Sequence, residues 1–282
     1  MDSHPETPIT FTCQDETLVG IVHHSDASAE TGVLIVVGGP QYRAGSHRQF
    51  VLLARMLASN GIPVFRFDYR GMGDSSGELR TFEDVDQDIR AAIDTFIVHS
   101  PSIKKVVIWG LCDAASAALF YGHTDNRVSG MVLLNPWVRT EAGEARAYLK
   151  HYYLRRLTSK AFWSKVFSGK FRMGESVSSA VSMSKKASQI TSDASCGIAP
   201  LPQRMLQGLS AFHGKVLFVL SEDDLTASEF RDLIASSREW KKMLAKKKAI
   251  FKDVQQANHT FSSEKWRSQV EHLTLDWLHD IS

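Results

Sequence analysis

Lys104 to Tyr121, KKVVIWGLCDAASAALFY, changes hydrophobic period in mid-course. Lys104 to Trp109 is a β-branched apolar run of the kind buried on both faces of a parallel sheet. Ala114 to Tyr121 is a run of small residues that reads as a helix. Between them Trp109-Gly110-Leu111-Cys112-Asp113-Ala114 has the form of a nucleophile elbow, a strand-to-helix turn sharp enough to strain its central residue. The residues two before and two after that centre must be small, and Gly110 and Ala114 are. Cys112 then points out of the sheet at a helix start, where the partial positive charge favours an anion and the adjacent Asp113 opposes it.

The pattern repeats outward in both directions. Residues 9–23 alternate around a polar break at Gln14 to Glu16, which predicts a β-hairpin. Gly32 to Gly38 predicts a central strand, His47 to Asn60 a helix stopped by Gly61, and Pro63 to Phe67 the next strand. Thr81 and Asp84 form a capping pattern before the apolar helical face Val85, Ile89, Ala92, Ile93 and Phe96. Val128 to Leu134 predicts a strand, as do Lys215 to Leu220 and Ala249 to Val254, with a helix from about Ser228 between the last two. A closing helix shares Trp266, Val270, Leu273 and Trp277 on one face. Strands and helices in alternation predict an α/β fold with a mostly parallel central sheet and helices on both faces.

From 135 to 212 the strand signal disappears, so the chain divides into a core of 1–134 and 213–282 and an inserted helical cap of 135–212. The insert holds twelve Lys or Arg against four Asp or Glu, so with +2 overall the remainder carries −6. Its basic side chains, among them Arg146, Lys150, Arg155, Arg156, Lys160 and Lys165, form either a solvated face or an attraction for an anionic substrate or membrane surface. A charge of +2 gives no ground for nucleic-acid binding, and no apolar run approaches the ~18 residues of a membrane span. Met1 to Thr10 is polar with two prolines and lacks a secretory pattern, which predicts a cytoplasmic protein. Cys13, Cys112 and Cys196 are scattered, with neither disulfide nor metal spacing.

Further motifs carry a resemblance. Phe67-Asp68-Tyr69-Arg70-Gly71-Met72-Gly73-Asp74-Ser75-Ser76-Gly77 matches the D-x-R-G-x-G-x-S-x-G loop that follows the fourth strand of cap-bearing esterases and aminopeptidases. The core, about 200 residues, thus resembles the α/β-hydrolases of that type. Gly38-Gly39-Pro40-Gln41 resembles their oxyanion loop, which usually opens on His-Gly. More narrowly, GGPQYRAGSHRQF from Gly38, WGLCDAASA from Trp109 and DLTA from Asp224 resemble the exosortase A system-associated hydrolases of type 1.

What the resemblance implies is a triad in the order nucleophile, acid, histidine: Cys112, Asp224 and His259, with Asp223 the rival acid. Asp223 is then free to cap the turn or the following helix. The oxyanion would face the Asp113 amide and that of Gln41, with Gly39 the alternative, because Pro40 has no N–H. Such a site hydrolyses an ester or thioester through a thioacyl-enzyme and needs no metal or organic cofactor. Its substrate would be a small-molecule or lipid-linked acyl compound, anionic if the basic insert recruits it. Two other readings stay open. The same cysteine serves acyl transfer in polyhydroxyalkanoate synthases, and a hydrolase fold can persist as a silent binding protein.

Overall fold

β1 (Glu6–Cys13) and β2 (Glu16–His23) pair antiparallel across a turn that puts Gln14 at φ 55°. The computed structural model describes residues 5–26, 28–39, 41–139 and 199–281. After the hairpin come β3 (Thr31–Val36), α1 (Gln49–Ser59), β4 (Val64–Asp68), α2 (Asp86–His99), β5 (Lys105–Leu111), α3 (Asp113–Tyr121) and β6 (Val128–Leu134). Then follow α4 (Leu201–Ala211), β7 (Lys215–Ser221), α5 (Leu225–Ser236), α6 (Arg238–Lys247), β8 (Ile250–Val254) and α7 (Glu264–Ile281).

The eight strands lie in the order β1-β2-β4-β3-β5-β6-β7-β8, antiparallel in the first two pairings and parallel in the rest. β3, β5 and β6 are buried almost throughout, as their unbroken apolar runs require. From β3 the chain runs through α1 to β4 on one side, then through α2 to β5 on the other. The carboxyl ends of β3 and β5 therefore face a topological switch point, where open α/β sheets hold their ligands.

Four local expectations change. The helix expected from His47 starts at Gln49, because His47 and Arg48 sit at φ 52° and 60° in a short 3-10 turn. Thr81 caps no helix: α2 starts at Asp86, where a fully buried ion pair of Asp88 with Arg70 fixes the first turn. The expected helix near Ser228 begins at Leu225 and is followed by α6. On α7 the buried residues are Val270, Thr274, Leu275, Trp277 and Leu278, while Trp266 and Leu273 are only half-buried.

The chain divides into one unit of Met1–Val138 with Pro202–Ser282 and a second of Arg139–Leu201. This second unit lies inside the expected 135–212 insertion, and α4, which that range included, packs on the core. A Cβ on Gly208 would lie 1.9 Å from the Leu119 carbonyl, and Met205, Leu209 and Phe212 are buried. Residues 140–198, with the basic and aromatic side chains expected of a cap, lie outside the described residues. Among the described residues no helix is long and apolar enough to cross a membrane.

Candidate active site

β5 delivers Cys112 to the carboxyl edge of the sheet, and α3 leaves at once. The tightness of this turn is measurable: a Cβ on Gly110 would come within 2.7 Å of the Ala114 carbonyl. Cys112 takes φ 64°, ψ −123°, a conformation that essentially only glycine adopts without strain. Its N–H donates to Leu134 O (2.8 Å), and its own carbonyl accepts from Ala115 and Trp137. The residue is half-buried and its thiol is free.

Asp224 and His259 arrive from the ends of β7 and β8. Nδ1 of His259 lies 3.0 Å from Oδ1 of Asp224, an ion-pair distance. The other ring nitrogen is then left for the Cys112 sulfur, whose contact with His259 helps shape its ionisation. Asp224 and Cys112 together push the imidazole up to about 10 against the opposing effect of burial. Burial works to raise Asp224 too, but His259 and the amides of Ala227 and Thr226 outweigh it and hold this carboxyl below its ordinary value. The structure therefore brings Cys112, His259 and Asp224 together and leaves Asp223 exposed beside them. The expectation that Asp223 caps is also corrected: Asp224 is the N-cap of α5, its Oδ2 accepting from Ala227 N at 2.9 Å while Oδ1 faces His259.

The loop after β3 comes to the elbow from the neighbouring strand. Gly39 takes φ 57° and donates its N–H to Oδ2 of Asp113 at 2.8 Å. Of the two amides considered for the oxyanion besides that of Asp113, the Gly39 one is already engaged. Gln41 is described, though residue 40 before it is not, and its Oε1 accepts from Ser46 N at 3.2 Å. Arg43 ties the loop to β4. Its N–H and guanidinium bond to the fully buried Asp68, and a second guanidinium nitrogen meets Asp74 at 2.6 Å. Asp68 also accepts from Asp74 N, so the D-x-R-G-x-G-x-S-x-G stretch acts here as a clamp on the loop after β3. Burial raises the Asp113 carboxyl above its ordinary value, opposed by the amides of Gly39, Ala114 and Asp113 itself.

One positioning residue escaped the sequence reading. Asn135, fully buried at φ 43°, donates from Nδ2 to Ser221 Oγ (2.8 Å) and to the carbonyl of His259 (3.1 Å), and accepts from Ser221 N (2.8 Å). Ser221 Oγ in turn donates to Asn258 O at 2.9 Å, so the end of β6 holds the histidine loop through β7. The one sequence signal is an asparagine directly after a buried strand, a residue type that tolerates positive φ.

Residues 30–221 match the family described as serine aminopeptidase S33. Among curated proteins, polyketide transferase grgF of Penicillium sp is 28% identical over 98 residues, 33% of each chain. The chain therefore matches about a third of that relative's length. Among solved structures, an esterase of Pyrococcus furiosus superposes with a TM-score of 0.63 at 16% identity, covering 98% of this chain and 92% of that one. Est1E from Butyrivibrio proteoclasticus, solved with ferulic acid bound, superposes with a TM-score of 0.63 at 13% identity, covering 97% and 98%. The eight-stranded sheet of this chain, its superposition on these structures and the match over 30–221 agree, and the chain belongs to the serine aminopeptidase S33 family of α/β-hydrolases.

Proposed function

We propose that this protein hydrolyses a carboxylic ester or thioester through a thioacyl intermediate on Cys112, although its family is named for serine. The observation that carries this reading is that His259 meets both other members, with 3.0 Å between the Asp224 carboxylate and the imidazole and the Cys112 thiol acting on the same ring. His259 already holds the proton given up by the thiol, as its raised affinity for protons beside Asp224 and Cys112 favours, and Sγ attacks the acyl carbon. The oxyanion is held by the Asp113 amide at the helix start and by the Gln41 amide. Collapse breaks the bond to the alcohol or thiol, which leaves with the proton from His259. Water then gives a proton to His259 and attacks the thioacyl carbon, releasing the acid and restoring the thiol.

The test compares wild type, Cys112→Ala and Cys112→Ser on p-nitrophenyl butyrate and on S-butyryl-N-acetylcysteamine. Turnover should vanish in the alanine variant and fall strongly in the serine variant, since a hydroxyl is a far weaker acid than a thiol. Iodoacetamide should modify Cys112 much faster than the buried Cys13. Alanine activity above a tenth of wild type overturns the nucleophile. Absent turnover, with Cys112 no more reactive than Cys13, leaves a hydrolase-fold binding protein.

The likeness to a polyketide transferase favours a second reading, in which an alcohol or thiol acceptor takes the acyl group in place of water. Product analysis with added acceptor separates the two. We further propose a cytoplasmic setting and a link to exopolysaccharide and exosortase systems. The first is supported by the free thiols of Cys13 and Cys112, as a reducing compartment would keep them, and the second by the motif resemblance.

A further inference from the structure

We propose that the side chain of Asp113 is a positioning residue, holding the oxyanion loop against the elbow through the Gly39 amide so that the loop presents the Gln41 amide to the reacting carbonyl. The proposal rests on the hydrolase reading above and adds a role for a carboxylate that the triad does not use.

The geometry that points to it is two-sided. Oδ2 accepts from Gly39 N at 2.8 Å, and Oδ1 accepts from Ala114 N at 2.9 Å, so one carboxylate joins the start of α3 to the loop after β3. The loop is shaped to receive it. A Cβ on Gly38 would lie 2.2 Å from Oδ1 of Asp113 and 2.6 Å from the Leu111 carbonyl, so the space a side chain would need holds the carboxylate. At Gly39 nothing lies within 4 Å of such a Cβ, and the requirement there is the φ of 57°. One glycine is needed for room and the next for conformation.

The loop's other anchors are farther along. Gln41 Oε1 reaches Ser46 N, and Arg43 reaches Asp68 and Asp74. Among these contacts only that of Asp113 ties the loop to the residue that follows the nucleophile. An oxyanion hole works when its donors are already in place as charge develops, so releasing this tie lowers turnover without touching the thiol or the imidazole.

Alkylation separates the two. Iodoacetamide forms a C–S bond as iodide leaves, with no tetrahedral oxyanion, so it reads the Cys112–His259 pair alone. Ester turnover reads the pair and the hole. Asp113→Ala retains the backbone N–H of residue 113, and for p-nitrophenyl butyrate its kcat should fall by about 10²-fold, the cost of a misplaced oxyanion donor. Its iodoacetamide rate at Cys112 should stay within about threefold of wild type or rise. Asp113→Asn can still accept from Gly39 and should regain at least ~10-fold of the lost kcat, since the contact rather than the charge does the positioning. Gly39 amide exchange, followed by hydrogen–deuterium NMR, should speed up by ~10-fold or more in Asp113→Ala at pH values where both proteins are folded.

Unchanged kcat in Asp113→Ala overturns the proposal, as does alkylation that falls in step with kcat or an asparagine variant as poor as alanine. Wild type without turnover, or with turnover that survives Cys112→Ala, sinks the hydrolase reading instead. The clamp is then decided by Gly39 exchange, and an unchanged rate refutes it.

Discussion

Replacing Asp224 and Asp223 by asparagine, one at a time, tests the assignment of the acid. Oδ1 of Asp224 is 3.0 Å from Nδ1 of His259, and at an effective dielectric of about 20 a unit charge pair at that distance is worth roughly 5 kcal/mol. The imidazole is 34% exposed, and solvent screening reduces this to about 2–3 kcal/mol. If that interaction is realised in the transition state, kcat falls ~10²-fold, less than the ~10⁴-fold of serine triads because a thiol needs less help from its base. The fold should survive, because asparagine caps a helix about as well as aspartate and can keep the bond to Ala227 N. Asp223 is exposed and bonds Ala257 through its backbone N–H alone, so Asp223→Asn should stay within about twofold of wild type. The assay is kcat on p-nitrophenyl butyrate beside Tm for each variant. A larger kcat loss in Asp223→Asn, at matched Tm, refutes the assignment.

Three more tests follow from the geometry. Cys112 holds a glycine-like φ and ψ, so Cys112→Gly should be more stable than Cys112→Ala by about 1 kcal/mol or more in urea, and the reverse order would remove the strain from the elbow. Asn135→Ala leaves Ser221 N and His259 O without this partner in a buried place and should cost about 2–4 kcal/mol, a figure that a loss under about 1 would contradict. His259 binds its proton more tightly folded than unfolded, so its pairing with Asp224 stabilises fully below pH 6.5 and fades as pH rises towards about 10. The Tm gap between wild type and Asp224→Asn should therefore be wider at pH 6 than at pH 10, and a gap that widens with pH would reverse the sign of the coupling.

The parts of the site readable in the sequence are those that depend on chain order. A parallel sheet brings successive strand ends to one edge, so a small-x-Cys-x-small turn, an acidic turn and a histidine turn, each just after a strand, meet whatever the intervening length. The parts that were missed depend on contacts across the sequence. Asn135 reaches partners 86 and 124 residues on, and at the end of β6 it reads as the first residue of an insert. The Asp113 contact with Gly39 spans 74 residues. The Thr81 pattern is locally sound, but α2 begins five residues on, next to where Asp88 meets Arg70 in the core, a contact 18 residues apart in sequence.

The two carboxylates of the site are driven in opposite directions, and that contrast separates their roles. Asp224 faces an imidazole held protonated to about 10, so its charge is matched and stays below the ordinary ionisation range. Asp113 is raised by burial, which outweighs the amides of Gly39, Ala114 and itself and a smaller effect of the His259 charge. Carboxylates divided in this way take different tasks. A full negative charge beside Cys112 would oppose thiolate formation and repel the oxyanion. Here, with Oδ2 on Gly39 N–H and Oδ1 on Ala114 N–H, the charge of Asp113 is spread onto the backbone dipoles of the loop and of the α3 start. Aspartate next to the nucleophile is thereby compatible with a thiolate, provided the loop stays docked on it. The loop's position then depends on one of the two hydrogen bonds over which this charge is spread.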